Sequence, residues 1–264
     1  VSRCCARWQR WQAESNNRGG MYLIVDIGNT RAKVIVVDGR SIVYDMAVEQ
    51  LSSASVADVV AKYQDISHAI VSTTRGNGEE VKALLRELVE SVLLFTPATT
   101  PVPIANAYHT PQTLGADRLA AAVGAWAMFP DSDIMVVDFG TAITIDYVVG
   151  GTYLGGNISP GVTTRFRALA DYTACLPLCE PTDELLEYGR TTREAIEQGV
   201  MRGVEHEIRG YVEAFSKENG KKRIIFTGGD AKYFVKRIKN TIFADCEPII
   251  MGLTAILEYN AKRY

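Results

Sequence analysis

The chain has 264 residues, 47% of them apolar and 22% charged, which is length and hydrophobic content enough for one large globular domain or two modest ones. A net charge of −3 removes the electrostatic argument for a nucleic-acid or membrane-surface partner, and the basic runs at 221–223 and 236–239 are short enough to be solvated helix ends. No apolar stretch is long enough to span a bilayer, and the five cysteines fit neither a disulfide framework nor a zinc site, since Cys175 and Cys179 lack a second Cys or His pair.

Residues 1–20 are polar and basic, without the apolar centre of a signal peptide, and read as a disordered extension ahead of Met21. Reduced thiols in a cytoplasmic protein are the matching expectation. Strands follow over 21–26, 31–38 and 41–48, the last two joined by an Asp38-Gly39 hairpin. A helix near 52–64, capped by Ser52 or Ser53, leads to a strand at 68–72, a helix at 78–90 and a strand at 92–95. A Pro-rich loop (Pro97, Pro101, Pro103) then reaches Tyr108 and Pro111, and an alanine-rich helix covers 115–128.

From 133 the order starts again. Strands fall at 133–138, 142–149 and 152–158, with Gly150-Gly151 as the hairpin. Helices at about 161–171 and from Thr191 or Thr192 to Lys217 precede a strand at 223–227, a helix at 229–239, a strand at 241–244 and a closing helix at 248–261. Two halves with one order of elements predict two similar α/β domains, 21–130 and 131–264, with a ligand cleft between them. A single doubly wound sheet is the rival, and two three-strand hairpin runs fit it badly, because parallel neighbours need long crossovers.

Each half carries an acidic turn where its first strand ends. The first is Asp26-Ile27-Gly28-Asn29-Thr30, running through Arg31 and Ala32 to Lys33; the second is Asp138-Phe139-Gly140-Thr141-Ala142-Ile143-Thr144. A turn Asp can serve an Asx hydrogen bond, but a matched pair beside glycines fits phosphate better. The glycines let phosphate oxygens approach the backbone, and a carboxylate supplies a hard ligand for Mg2+. Lys33 can offset charge on a transferred phosphoryl group, with Thr141 and Thr144 in the matching places of the second turn. A third glycine turn, Thr227-Gly228-Gly229-Asp230, follows a strand and opens a helix, which suits the adenosine part of a nucleotide.

Leu114-Gly115-Ala116-Asp117-Arg118 opens an otherwise apolar helix. A helix-dipole acid explains Asp117 but not the Arg beside it. The functional reading makes Asp117 a general base and Arg118 a clamp for a substrate carboxylate, with Tyr108 lining the same pocket. His68, His109 and His206 suggest no site.

Together these segments resemble the type III pantothenate kinases. Further matches are the segment 155–161, Thr192-Arg193-Glu194-Ala195-Ile196-Glu197-Gln198-Gly199 and the third turn, so the likeness spans nearly all the chain after residue 20. The resemblance implies two ribonuclease-H-like domains of the actin-like ATPase superfamily, each βββαβαβα, with an interdomain active site. It implies ATP-dependent phosphorylation of pantothenate, the first step toward coenzyme A, in a cytoplasmic homodimer. By the same resemblance Asp117 is the proton acceptor, and Tyr108, Gly115, Ala116, Arg118 and Thr192 contact pantothenate, Thr192 from the neighbouring chain. Asp26, Ile27, Gly28, Asn29, Thr30, Arg31, Ala32, Lys33 and Thr141 contact ATP, with Mg2+ near Asp26, and Asp138 holds a monovalent cation, K+ or NH4+. Another kinase of the superfamily and a non-catalytic transcription accessory factor are the alternatives. The second would predict damaged catalytic positions.

Overall fold

Strand alternation sorts the first sheet into two faces. β1 (Met21–Ile27), β2 (Ala32–Asp38) and β3 (Ser41–Val48) form an antiparallel meander. β4 (Ile66–Thr73) and β5 (Ser91–Leu94) add in parallel beyond β1, giving the order β3-β2-β1-β4-β5. Leu23, Val25 and Ile27 face outward and bury against α1 (Ser53–Lys62) and α2 (Gly78–Arg86), while Tyr22 and Ile24 face inward. Ser52 caps α1 in a reciprocal pair with Ser55.

The second sheet has the same strand order. β7 (Asp133–Phe139), β8 (Ala142–Val149) and β9 (Thr152–Pro160) form the meander, and β10 (Lys222–Thr227) and β11 (Ile242–Phe243) follow in parallel beyond β7. The Pro-rich segment expected as loop contributes β6 (Ala105–Asn106), which pairs with β9 and completes six strands, β11-β10-β7-β8-β9-β6. Met135, Val137 and Phe139 pack outward on α4 (Val162–Asp171), α5 (Thr192–Lys217) and α6 (Ala231–Phe234).

Both inward faces share one core with α3 (Ala116–Met128) and α7 (Pro248–Ala261), which lie between the sheets. The layers therefore run helix, sheet, central helix pair, sheet, helix. The central pair crosses at backbone contact: a Cβ on Gly124 would stand 2.0 Å from the Pro248 carbonyl oxygen, and one on Gly252 1.8 Å from that of Ala120. Only glycine at both positions allows this approach.

The computed structural model describes residues 20–28, 30–217, 220–239, 241–243 and 248–262. Asn29, Cys4, Cys5, Cys246 and the extension 1–19 lie outside the described residues. Two local expectations change. The helix expected over 229–239 is helical only at Ala231–Phe234, and tight turns follow in which Arg237 and Ile238 both donate to the Phe234 carbonyl. Phe234 and Ile238 both lie in the outer core. In the second half two helices, α4 and α5, separate β9 from β10, as the element order predicts, where the first half has α1 alone, so the second half departs from an exact βββαβαβα repeat. Among the described residues no helix is long and apolar enough to cross a membrane.

Candidate active site

Strand parity brings the two acids to face the same space. Asp26 lies two residues after inward Ile24, and Asp138 two after inward Val136, so both carboxylates leave the inner faces at the C-terminal ends of β1 and β7. Across β2 the register partner of Asp26 is Lys33, which shares the inward parity of Ile35 and Val37. Across β8 the register partner of Asp138 is Thr144, and across β10 it is Thr227.

The two turns meet. The Gly28 N–H donates to the Arg31 carbonyl at 3.0 Å, closing the first turn. Thr30 Oγ1 at its tip lies 3.5 Å from Thr141 Oγ1 of the second. The Thr141 carbonyl accepts from the Gly161 N–H at 3.0 Å and from the Thr164 hydroxyl at 2.7 Å, so the start of α4 braces the second turn from behind. The third turn stacks on the second: Asp230 N–H donates to the Phe139 carbonyl at 3.2 Å. Gly228 adopts φ +90°, and a Cβ there would stand 2.4 Å from Asp138 Oδ1, whereas Gly229 beside it faces open space.

α3 delivers Asp117 and Arg118 to this junction. Asp117, Arg118, Ala121, Asp138, Gly140, Thr141, Ala142 and Thr144 line one cavity of about 150 Å³. That is room for a phosphoryl group and an alcohol arm rather than a whole nucleotide. Asp117 Oδ1 accepts from the Arg118 N–H at 2.8 Å, which folds the carboxylate over the first turn of the helix. The Arg118 guanidinium is buried, and its Nη2 donates to Asp146 Oδ1 at 2.6 Å. Tyr108 packs beside it, its ring centre 5.9 Å from the guanidinium carbon and 6.1 Å from the ring of Tyr153.

The electrostatics follow from crowding four carboxylates around two cations. Asp138 keeps some accessible surface on the cavity wall but is surrounded by protein on all other sides. Desolvation, then the charges of Asp117, Asp146 and Asp26, push its carboxyl up to about 7, against the pull of Lys33. Burial likewise pushes Asp146 up, opposed by Arg118 and by hydrogen bonds from Arg118, Tyr153 and Thr144. Burial opposes the charge of Arg118, but the hydrogen bond and charge of Asp146 outweigh it and hold the guanidinium above its ordinary range. A carboxyl this crowded by negative charge is a fit place for a small cation. Among the described residues no group of three or more His, Cys, Asp or Glu side chains could hold a metal ion by itself, which leaves water and phosphate oxygens to complete any coordination.

The remaining expected residues divide. Ile27 and Ala32 point into the outer core, so only their backbone can reach a nucleotide, and Arg31 is exposed. Gly115 and Ala116 line a separate groove of about 420 Å³ on the other side of the α3 start, with Thr73, Thr96, Pro111 and Leu114. Thr192 is exposed at the start of α5 and does not line the cavity of Asp117. Asp146 and Thr164 carry no expectation from sequence. Asp146 had one signal, its place two residues beyond Thr144 on the same face of a strand, where an acid among Ile143, Ile145 and Val148 has no packing reason to be.

Residues 22–214 match the family model described as Type III pantothenate kinase. A type III pantothenate kinase of Bacteroides fragilis is 43% identical over 244 residues, covering 92% of this chain and 100% of its own. Among solved structures, a conserved protein of Campylobacter jejuni described as a Baf family transcriptional activator superposes with a TM-score of 0.60 at 19% identity, covering 91% of this chain and 99% of its own. A protein of Sinorhizobium meliloti described as a 2-dehydro-3-deoxygalactonokinase gives a TM-score of 0.58 at 13% identity, over 90% and 99%. At those identities the two structures share the fold, and the likeness extends no further.

Proposed function

The chain belongs to the type III pantothenate kinase family, and from that premise we propose that it transfers the γ-phosphoryl group of ATP to the primary hydroxyl of pantothenate, the first step of coenzyme A biosynthesis. The observation that carries the reading is the cavity in which Asp117 faces the second acidic turn, with the first turn 3.5 Å away at Thr30–Thr141.

The triphosphate lies between the two turns, cradled by the amides and hydroxyls of 28–33 and by Thr141, with Lys33 against the transferred group. Asp26 would hold Mg2+, directly or through water, and Asp138 would hold a monovalent cation, K+ or NH4+. These cations, when bound, supply positive charge that offsets the phosphates. Their fit here rests on the repulsion that already raises the Asp138 carboxyl. The open face of Gly229 suits the adenosine.

On the acceptor side Asp117 takes the hydroxyl proton as its oxygen attacks in line. Tyr108, Gly115, Ala116 and Arg118 border the pantothenate. Thr192 reaches it from the neighbouring chain of a homodimer. Exposed Leu154 and Ile158 on β9, with Leu178, Leu185 and Tyr188 in the segment before α5, offer apolar surface for that pairing. Two ribonuclease-H-like domains of the actin-like ATPase type, 21–130 and 131–264, each βββαβαβα at heart, are the units of this reading. The repeated strand order of the two sheets supports them. ATP as donor fits a cytoplasmic enzyme.

The test is ADP release. Pantothenate added with ATP, Mg2+ and K+ should raise ADP release well above the rate without acceptor, with phosphopantothenate as product. Equal rates with and without pantothenate would refute the assignment. Release that depends on another small alcohol would favour a different kinase of the fold.

A further inference from the structure

Among the described residues Arg118 and Asp146 are the charged side chains that are fully buried, at 6% and 1% exposure. They are paired across the two halves of the chain. Asp146 Oδ1 accepts from Arg118 Nη2 at 2.6 Å, from Arg118 Nε at 3.0 Å and from the Tyr153 hydroxyl at 2.7 Å, and Oδ2 lies 3.3 Å from Arg118 Nε. Two donor groups from different elements on one carboxylate fix its orientation as well as its charge.

The pair sits between the parts of the site that must be held apart by a fixed distance. Arg118 directly follows Asp117 in the first turn of α3, so anchoring its side chain anchors that turn. Asp146 lies two residues beyond Thr144 on β8, and Thr144 is the register partner of Asp138. Tyr153 ties the same carboxylate to β9. One ion pair thus connects the helix that carries the base to the strands that carry the second phosphate turn.

The arrangement also redefines Arg118. Its Nε–Nη2 edge is already chelated by Asp146, which leaves at most the Nη1 edge for a substrate carboxylate. We infer that Asp146 is a positioning residue, which through Arg118 holds the Asp117 carboxylate over the second phosphate turn. The inference rests on the reading of Asp117 as the base of a kinase.

The test separates positioning from folding. Asp146→Asn keeps the shape but leaves the buried guanidinium without its counter-charge. Pantothenate phosphorylation should fall about 10- to 100-fold, the loss expected for a charged hydrogen bond. Slow ATP hydrolysis to water, measured without pantothenate at saturating K+, and ATP affinity by calorimetry should both change far less than phosphorylation, because the residues of the phosphate turns are unaltered and only one charge near Asp138 is lost. Loss of folded protein would instead lower all of these readouts together, including the number of ATP sites per chain, and the decision then passes to a second variant. Phosphorylation within about threefold of the unaltered protein overturns the inference. Tyr153→Phe, which keeps the ring and removes one donor, should lose about threefold to tenfold in phosphorylation with hydrolysis unchanged. It decides the matter if the Asn variant does not fold, and unchanged phosphorylation in it overturns the inference. An unaltered protein without pantothenate-dependent ADP release refutes the kinase reading and this inference with it, whereas an active protein with an unaffected Asn variant refutes the inference alone.

Discussion

Asp117→Asn isolates the base from everything else that Asp117 does. The carboxylate has one structural duty in the site, to accept the Arg118 N–H at 2.8 Å, and a carboxamide oxygen can take that over. The side chain is the same size, α3 remains buried through Leu119 to Ala125, and both phosphate turns lie on other elements. The variant should therefore fold and bind ATP with affinity within about twofold. What it loses is proton acceptance from the attacking hydroxyl, a contribution of about 100- to 10,000-fold, or about 3–5 kcal/mol in the barrier. A coupled ADP-release assay at saturating ATP and pantothenate reads kcat, and calorimetry with a non-hydrolysable ATP analogue reads binding. A kcat within about fivefold of the unaltered protein would refute the assignment of the base. A matched loss of ATP affinity would show that Asp117 acts on the nucleotide instead.

The remaining expectations test the turns. Asp26→Ala should weaken ATP–Mg2+ binding by about tenfold, the worth of one charged ligand at a phosphate site, and calorimetry showing unchanged affinity would remove Asp26 from the nucleotide site. Gly228→Ala forces a Cβ to 2.4 Å from Asp138 Oδ1 at φ +90°. It should cost about 2–4 kcal/mol in urea unfolding, and a loss under about 0.5 kcal/mol would mean that the third turn does not press on that carboxylate. Asp138, raised to about 7, holds its proton more tightly in the folded state than an unfolded Asp of about 4. Its contribution to stability is complete below about pH 4 and is lost as pH rises through about 7. In buffer free of small monovalent cations the melting temperature should fall across that window, and Asp138→Asn should flatten the fall. Equal slopes in the two proteins would contradict the strain assigned to Asp138.

The first and second turns were legible because they combine a strand end, an acid and a glycine in a pattern that occurs twice. Local chemistry was enough to single out Asp26, Asp138 and Thr141 as candidates, and parity then dictates that both acids face inward. Asp117 was legible because an acid and an arginine open a helix whose other residues are Ala, Leu, Val, Gly, Trp and Met. The pairing of Arg118 was not, because its partner lies 28 residues away on a strand whose place beside α3 depends on how the halves pack. The same holds for β6: nothing in Ala105-Asn106 marks a strand, and its two residues gain that state by lying beside β9. The short α6 shows the converse, a helix-like pattern that is followed as regular helix only over Ala231–Phe234.

Asp117 and the first turn come from one half and the second turn from the other, and among the contacts across the seam three differ sharply in strength. At Gly124 and Gly252 backbone meets backbone, so any displacement there costs close packing along the whole of α3 and α7. Arg118 and Asp146 form a buried ion pair, whose rupture would cost about 3–5 kcal/mol. Thr30 and Thr141 make a solvent-exposed hydroxyl contact at 3.5 Å, worth less than about 1 kcal/mol. In the proposed reading the weakest of the three lies where the triphosphate would enter, and the two strong ones lie on the acceptor side. On these magnitudes the tips of the turns should part more readily than the seam that holds Asp117 beside Asp138. Under the proposed reading, nucleotide entry would then need only the hydroxyl contact to part, with the side of the site assigned to the acceptor alcohol already held by the buried pair.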